Sequence, residues 1–376
     1  MLLHRWLGVG IGLWFALVGL TGAALVFEDA IDATLNPHLL RDARDGTWLP
    51  PAAIVERASR AFPDGRVERM RTPQTAGEVY RLEVRVSPRM RVGSPRLEAT
   101  FSPVTGELLG TRDPRAVGLD TASFVNTVYE FHRNVLLGPT GTDIVGTAGL
   151  LLMTSTITGI VLALPRTRGG WRRVVAVRLR ASITRLLFDL HRSAGTLLAV
   201  LLLLATATGV TLVWVNHARS VVGLFSPVAP FPVVPWIGGT DLPWPGLEQL
   251  ATSIREAYPR HTVTEVRIPS RPTAGYVFYL RAPGDAHRLG DTLVWLHPGT
   301  GERLLERGPD SRSAGEAFMH WLFPLHSGTA FGLVGRVAMC ATGIAPTLLV
   351  GTGLWLWLRK RRAQRIRRHR RGRAVA

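Results

Sequence analysis

The sequence predicts a polytopic α-helical membrane protein: four transmembrane helices in two parallel repeats, with two external α+β modules between them. Three observations carry that reading. The chain holds four long apolar stretches, its excess charge is confined to three short segments, and its two halves repeat at a spacing near 190 residues.

The 376 residues are 46% hydrophobic and carry a formal net charge of +18, with a mean hydropathy of +0.16. A strongly basic chain suggests nucleic acid, whereas a positive hydropathy suggests a bilayer. About 20 helical residues cross the hydrocarbon core. Trp6 to Phe27, Ile144 to Leu164, Phe188 to Val215 and Val334 to Leu358 each meet that length. The first resembles a signal peptide, but only Arg5 precedes it and its apolar run is longer than an h-region, so an uncleaved anchor is expected.

Location resolves the charge. The segment 165–187 holds seven arginines and no acid, and 359–376 holds nine arginines plus Lys360, again with no acid. With Arg5, these account for the whole excess, because the rest of the chain carries 27 bases and 27 acids. Four spans place all three segments on one side, which the positive-inside rule makes the cytoplasm. Membrane lipid is therefore the expected partner of the basic clusters, and nucleic acid is not. The resulting division is a first span at 1–27, an external module with its interfacial histidine segment at 28–143, and a second span at 144–164. A basic cytoplasmic loop at 165–187 and a third span at 188–215 follow. Then come a second module at 216–333, a fourth span at 334–358 and a basic tail at 359–376. Arginine outnumbers lysine 44 to 1, which reflects a biased genome and removes any chemical meaning from that choice. The single cysteine, Cys340, excludes an internal disulfide framework, a cysteine-only metal site and covalent c-type haem attachment.

Each module begins with a helical pattern, Pro51 to Phe62 and Leu247 to Tyr258. Strand-like runs follow at Val67–Arg71, Val79–Val86 and Leu97–Phe101, and again at Val263–Ile268 and Tyr276–Arg281. The turns Ser-Pro-Val-Thr-Gly-Glu (102–107) and His-Pro-Gly-Thr-Gly-Glu (297–302) correspond. The spans repeat as well. A shift of 187 lays His4, Arg5, Gly8, Thr21 and Gly22 on His191, Arg192, Gly195, Thr208 and Gly209. A shift of 194 lays His132, Gly138, Gly141, Gly149, Thr158 and Gly159 on His326, Gly332, Gly335, Gly343, Thr352 and Gly353. Both halves enter the bilayer from the same side, so the symmetry axis follows the membrane normal and equivalent residues share a depth.

That symmetry pairs His4 with His191 at the cytoplasmic face and His132 with His326 at the external face. A single interfacial histidine is most simply a headgroup contact. Two pairs at matched depth point instead to ligands. Zinc wants three or four donors, and each level offers two, which is what the axial positions of a b-type haem (heme b) require. Gly8 and Gly195, four residues past their histidines, and Gly22 and Gly209, eighteen past, would give a macrocycle room. Close helix packing explains them equally well. Arg5 and Arg192 could meet haem propionates or simply anchor the chain at the cytoplasmic face. His320 lies six residues before His326, and its repeat equivalent is Asn126, so it either borders a substrate surface or caps a helix. No residue stands out as catalytic.

The stretches His-Arg-Trp-Leu-Gly (4–8), Leu-Thr-Gly (20–22), Phe-His-Arg-Asn-Val-Leu-Leu-Gly (131–138), Leu-His-Arg (190–192), Leu-His-Ser-Gly (325–328) and Gly-Leu-Trp-Leu-Trp (353–357) resemble the PepSY-associated transmembrane-helix family of bacterial inner-membrane proteins. The resemblance covers essentially the whole chain, with two PepSY-like external modules. It implies a transmembrane electron path with His4, His132, His191 and His326 as ligands of two haems, since some members release iron from ferric siderophores. The resemblance also implies the inner membrane, and the charge distribution puts both termini in the cytoplasm. The family's longer N-terminal leader leaves open whether Met1 is the true start. No dinucleotide fingerprint or P-loop is present, so electrons would come from quinol or a separate reductase. A ferric chelate would be the acceptor. The competing expectations are a haem-free membrane-anchored sensor that binds a peptide or protein partner, and a transporter. Against the transporter, no acid lies within the apolar stretch of any span.

Overall fold

The chain divides into a helical unit, Met1–Phe27, Val128–Ala218 and Leu325–Ala376, and a sheet unit, Glu28–Thr127 and Arg219–Pro324. The structure, a computed structural model, describes residues 1–86, 95–165, 167, 170–229, 245–269, 275–298 and 300–373. Arg166 and Arg168 of the basic loop lie outside them. In chain order the elements are α1 (Leu2–Leu25), α2 (Glu28–Leu35), α3 (Pro37–Leu40), α4 (Pro51–Ala61), β1 (Gly65–Arg71), β2 (Tyr80–Val86), β3 (Arg96–Phe101) and β4 (Leu108–Arg112). Then come α5 (Thr121–Asn134), α6 (Gly138–Ala163), α7 (Trp171–Val175), α8 (Ile183–Leu197), α9 (Ala199–Val213), α10 (Val215–Val222) and α11 (Pro245–Ala257). The chain finishes with β5 (Thr262–Arg267), β6 (Tyr276–Arg281), β7 (Thr292–Leu296), β8 (Arg303–Arg307), α12 (Ala314–Ser327) and α13 (Gly332–Arg373).

Three helices of the helical unit are long and apolar enough to cross a bilayer: α1, α6 and a stretch from Thr329 to Arg367 that takes in most of α13. The expected third span is instead a pair, α8 and α9, bent by 57° at Leu198. Beside the bend the Thr196 hydroxyl donates to the Arg192 carbonyl one turn back. Meanwhile Arg192 and Ser193 are tied to carbonyls of Val174, Val175 and Ala176. The last helix also differs from expectation, because the basic tail continues it. At 42 residues, α13 is about 63 Å long, roughly twice the hydrocarbon thickness. Arg359 and Arg361 lie over the rings of Trp355 and Trp357 at 5.1 and 4.5 Å. α1 packs chiefly on α13, and α6 on α9.

In the sheet unit the two expected modules share one sheet. Eight antiparallel strands run in the order β4-β3-β2-β1-β5-β6-β7-β8, so the halves join through β1 and β5. Met70 faces Val266 at that seam, and both are fully buried. Each half keeps the same irregularities: register shifts at Val67/Arg69 and Val263/Glu265, and at Thr100/Phe101 and Trp295/Leu296. The sheet buries one apolar face, and the alternation is clearest in β2. In β2, Tyr80, Leu82 and Val84 are buried on it. Helices α4 and α11 contribute Ile54, Val55, Leu247 and Ile254 to a single core with Phe101, Phe278 and Leu280. The turns at 102–107 and 297–302 are built alike: Ser102 Oγ accepts from Thr105 N–H at 3.0 Å and His297 Nδ1 from Thr300 N–H at 3.0 Å. His297 is thus a turn residue.

The other face is ionic. Arg81 and Arg112 bond Glu98, Arg112 also forks onto Asp32 at 2.7 Å, and buried Glu265 faces Arg69, Arg71 and Arg267. Burial alone would raise the Glu98 carboxyl, but Arg81 and Arg112 outweigh it and hold it below the usual range. A depressed carboxylate contributes stability above its unfolded value of about 4.3 and loses it as pH falls through the lower folded value. Thermal melting of the purified protein should show this acid loss, and Glu98→Gln should be less stable at neutral pH with a shallower acid limb. An unchanged limb would remove Glu98 from the account.

Candidate functional site

The four paired histidines all lie in the helical unit, each seated on a neighbouring helix in the same way. His4 of α1 contacts the Ser155 carbonyl through Nδ1 at 2.9 Å, and His191 of α8 contacts that of Leu349 at 2.9 Å. His132 of α5 contacts the Val18 carbonyl at 3.0 Å, and His326 of α12 that of Ala205 at 3.0 Å. A carbonyl oxygen only accepts, so Nδ1 is the donor in all four. In every case a threonine three residues past that carbonyl offers its hydroxyl oxygen to the same Nδ1: Thr158, Thr352, Thr21 and Thr208, at 3.4, 3.0, 3.3 and 3.1 Å. Each threonine hydroxyl is oriented by carbonyls three and four residues back, as Thr21 is by Val18 and Leu17.

A glycine follows each threonine because the imidazole occupies that space. A Cβ at Gly22 would stand 2.8 Å from His132 Cε1. At Gly159, Gly209 and Gly353 the corresponding distances are 3.1, 3.0 and 3.2 Å to His4, His326 and His191. From sequence, Gly22 and Gly209 suit either room for a macrocycle or close helix packing; a Cβ at either would first meet a histidine ring. Gly8 is different, since a Cβ there would meet nothing within 4 Å, and one at Gly195 would touch only Leu349 at 3.5 Å.

The seats bring the histidines together as the repeat predicts. The His4 and His191 ring centroids are 6.1 Å apart, and those of His132 and His326 are 6.2 Å apart. With Nδ1–H committed, a neutral imidazole has its lone pair on Nε2, and no hydrogen bond reaches any of these four Nε2 atoms among the described residues. Each pair thus brings two imidazole rings close enough to share one metal ion. Among the described residues no group of three or more His, Cys, Asp or Glu side chains could hold a metal ion, so each pair offers two imidazole nitrogens. A metal that carries donors of its own would fit that set. Along α1, His4 and Val18 are fourteen residues apart, which separates the two levels by about 21 Å.

The repeat-related arginines are placed differently. Arg192 is engaged with Asp189 at 3.0 Å and with the Val174 and Ala176 carbonyls. Arg5 has a buried Nε with no partner among the described residues, and so does the indole nitrogen of Trp14 on the same helix. Trp14 had no repeat signal to draw attention to it. His320 does not join the four. It belongs to the sheet unit, where its Nε2 meets Asp291 at 2.6 Å.

The model of the PepSY-associated TM region matches residues 1–360. The chain belongs to that family. No curated protein matches it. Membership and the candidate spans make this PepSY-associated protein a membrane protein.

The seat geometry predicts opposite outcomes for two glycines on one helix. Gly22→Ala forces His132 outward and should cost about 1–3 kcal/mol, the usual range for overpacking. Gly8→Ala meets nothing and should be neutral or stabilising by up to about 1 kcal/mol through helix propensity. Thermal unfolding in detergent distinguishes them, and equal effects would contradict the assignment.

Proposed function

We propose that this protein is a haem-containing electron conduit of the bacterial inner membrane that reduces an external acceptor, an iron(III) chelate of the siderophore type. The α8–α9 pair counts as one span in this reading, giving four spans in two parallel repeats. The three basic segments and both termini are cytoplasmic, and the sheet unit is periplasmic. The fourfold seat is the observation that carries the proposal: two imidazole pairs, each with Nδ1–H locked, Nε2 open and ring centroids about 6 Å apart.

A b-type haem, bound at each level, would supply one-electron exchange with both axial positions filled. His4 and His191 would hold one, and His132 and His326 the other. The protein's own work is positional. The carbonyl and threonine fix each ring's tautomer and orientation, while the glycine sets how far it projects. Open space at Gly8 suits a macrocycle, and the unpartnered guanidinium nitrogen of Arg5 suits a propionate. Arg192, held by Asp189, suits a structural role at the same depth. The described cytoplasmic-side segments contain no nucleotide-binding fold, so a quinol or a separate reductase is the donor.

Protein made with ample haem should show reducible Soret and α bands and two haems per chain by pyridine haemochrome. His4→Ala with His191→Ala should halve that content, and adding His132→Ala and His326→Ala should abolish it. Absence of the bands overturns the reading in favour of a haem-free anchor. Arg5→Ala should lower the midpoint potential of the haem at the His4 level, because losing a nearby positive charge favours the ferric state. Arg192→Ala should shift it less, as a redox titration would show.

A further inference from the structure

The sheet unit contains a polar cluster whose histidine has no histidine counterpart in the first half of the repeat. His320 on α12 meets Asp291, at the start of β7, with Nε2 2.6 Å from Oδ1. In the loop before β7, His287 has its ring centroid 5.4 Å from that of His320 and 5.9 Å from that of Phe323. The first-half equivalent of His320 is Asn126, whose amide donates to the Ala116 carbonyl, a purely local role. The fold therefore does not need a histidine here.

Proton positions follow from the partners. Leu289 N–H donates to His287 Nδ1 at 3.2 Å, so His287 carries its hydrogen on Nε2. Burial, and then the proximity of His320, push His287 down to about 4, leaving it neutral at neutral pH. Burial alone would raise Asp291, but the hydrogen bond and charge of His320, with Arg312, hold it below the usual carboxylate range. His320 Nε2 therefore donates to an ionised carboxylate. The charged groups around the pair are Asp285 and Arg288 from the loop, Arg312 after β8, and Glu316 on α12. Arg288 is paired with Glu28 and Asp29, and Asp285 accepts from the amides of Ala282 and Asp291. The side chains of His320 and Asp291 retain 18% and 13% exposure, so water reaches them. One ring nitrogen of each histidine is committed, His320 Nε2 to Asp291 and His287 Nδ1 to Leu289. The cluster presents N–H groups, which suit an oxyanion.

We propose that His320, oriented by Asp291, donates the proton that accompanies reduction of an oxygen-donor ferric chelate, with the Nε2–H of His287 hydrogen-bonded to the chelate oxygen. This rests on the electron-transfer reading above. An iron(III) ion held by anionic oxygens would take one electron, which the haem held by His132 and His326 would supply. The iron–oxygen bond then breaks, iron leaves as iron(II), and the freed oxyanion takes the His320 proton. Water reprotonates His320, and Asp291 stays ionised throughout.

The test uses full-length, haem-loaded protein in nanodiscs, reduced with dithionite and mixed anaerobically with a ferric tris-hydroxamate while the haem bands are followed between pH 5 and 9. Binding of the redox-inert gallium tris-hydroxamate is measured in parallel by equilibrium dialysis. His320→Gln should slow haem reoxidation at least tenfold at pH 7 and flatten the pH profile, and Asp291→Asn should slow it several-fold. Gallium chelate binding, haem bands and midpoint potentials should match the wild type in both variants. A wild-type rate and pH profile in His320→Gln overturns the proposal. So does a loss of gallium chelate binding in step with the rate, which makes the cluster a docking site only. Missing haem bands in the wild type would instead defeat the electron-transfer reading before any mixing, and this proposal would fall with it.

Discussion

A histidine inside a helical bundle can offer Nε2 to a ligand only if its Nδ1–H has an acceptor. Helix carbonyls are normally consumed by their own ladder, and a buried N–H without a partner costs more than a typical net hydrogen bond contributes. This protein solves the problem four times with one device. A threonine turns its hydroxyl back onto the helix, which places a carbonyl and a hydroxyl oxygen side by side, and the following glycine lets an imidazole come close enough to use both. Each helix that carries a histidine near one end therefore needs a neighbour with a Thr-Gly step at the matching depth. The spacing of about eighteen residues from His4 to Gly22 and from His191 to Gly209 is the sequence trace of that requirement.

The same device explains why the bend between α8 and α9 is tolerated. His191 lies in the first segment, and the Thr208–Gly209 seat for His326 lies in the second. What must be conserved between the halves is the position of each seat relative to its ring, and that depends on contacts within each half: His191 with α13, His326 with α9. A break between the two seats does not disturb either one. The close approach at the other end of each half is also shared. The carbonyl of Asn134 crowds Gly141 and that of Gly328 crowds Gly335, so a side chain at either glycine would push apart the end of the histidine helix and the start of the next.

Much of this was legible in sequence, for identifiable reasons. Charge location and apolar length are properties of single segments, and they pointed to a membrane protein. The repeat paired His4 with His191 and His132 with His326 before any geometry was known, because duplicated residues keep their spacing. The acceptor of each Nδ1 was not legible, since a backbone carbonyl has no side-chain signature. The Thr-Gly steps were visible, but whether their glycines face a cofactor or an imidazole depends on the rotation of the partner helix. The shared sheet was hidden for a related reason. Pairing of Met70 with Val266 joins residues 196 apart, and nothing in either strand's alternation identifies its edge partner. His287 escaped notice because it has no repeat partner among the described residues to give it weight.

Where the halves differ is then as informative as where they agree. A duplicated fold begins with every polar group present twice, and a residue that only supports the fold has reason to stay duplicated, as do the bulges of β1 and β5 and the turns at Ser102 and His297. Arg5 and Arg192 began alike, yet one is tied down by Asp189 and the other has a buried nitrogen with no partner among the described residues. Asn126 caps a local carbonyl, whereas His320 engages a carboxylate beside a second histidine. Ionic and imidazole groups kept partly buried in one half only cost desolvation without a matching need in the other half. An interaction outside the fold itself is what could balance that cost. Symmetry in this chain therefore marks the apparatus that holds its paired histidines. Under the electron-transfer proposal, its departures at Arg5 and His320 are where a cofactor edge and a substrate would be met.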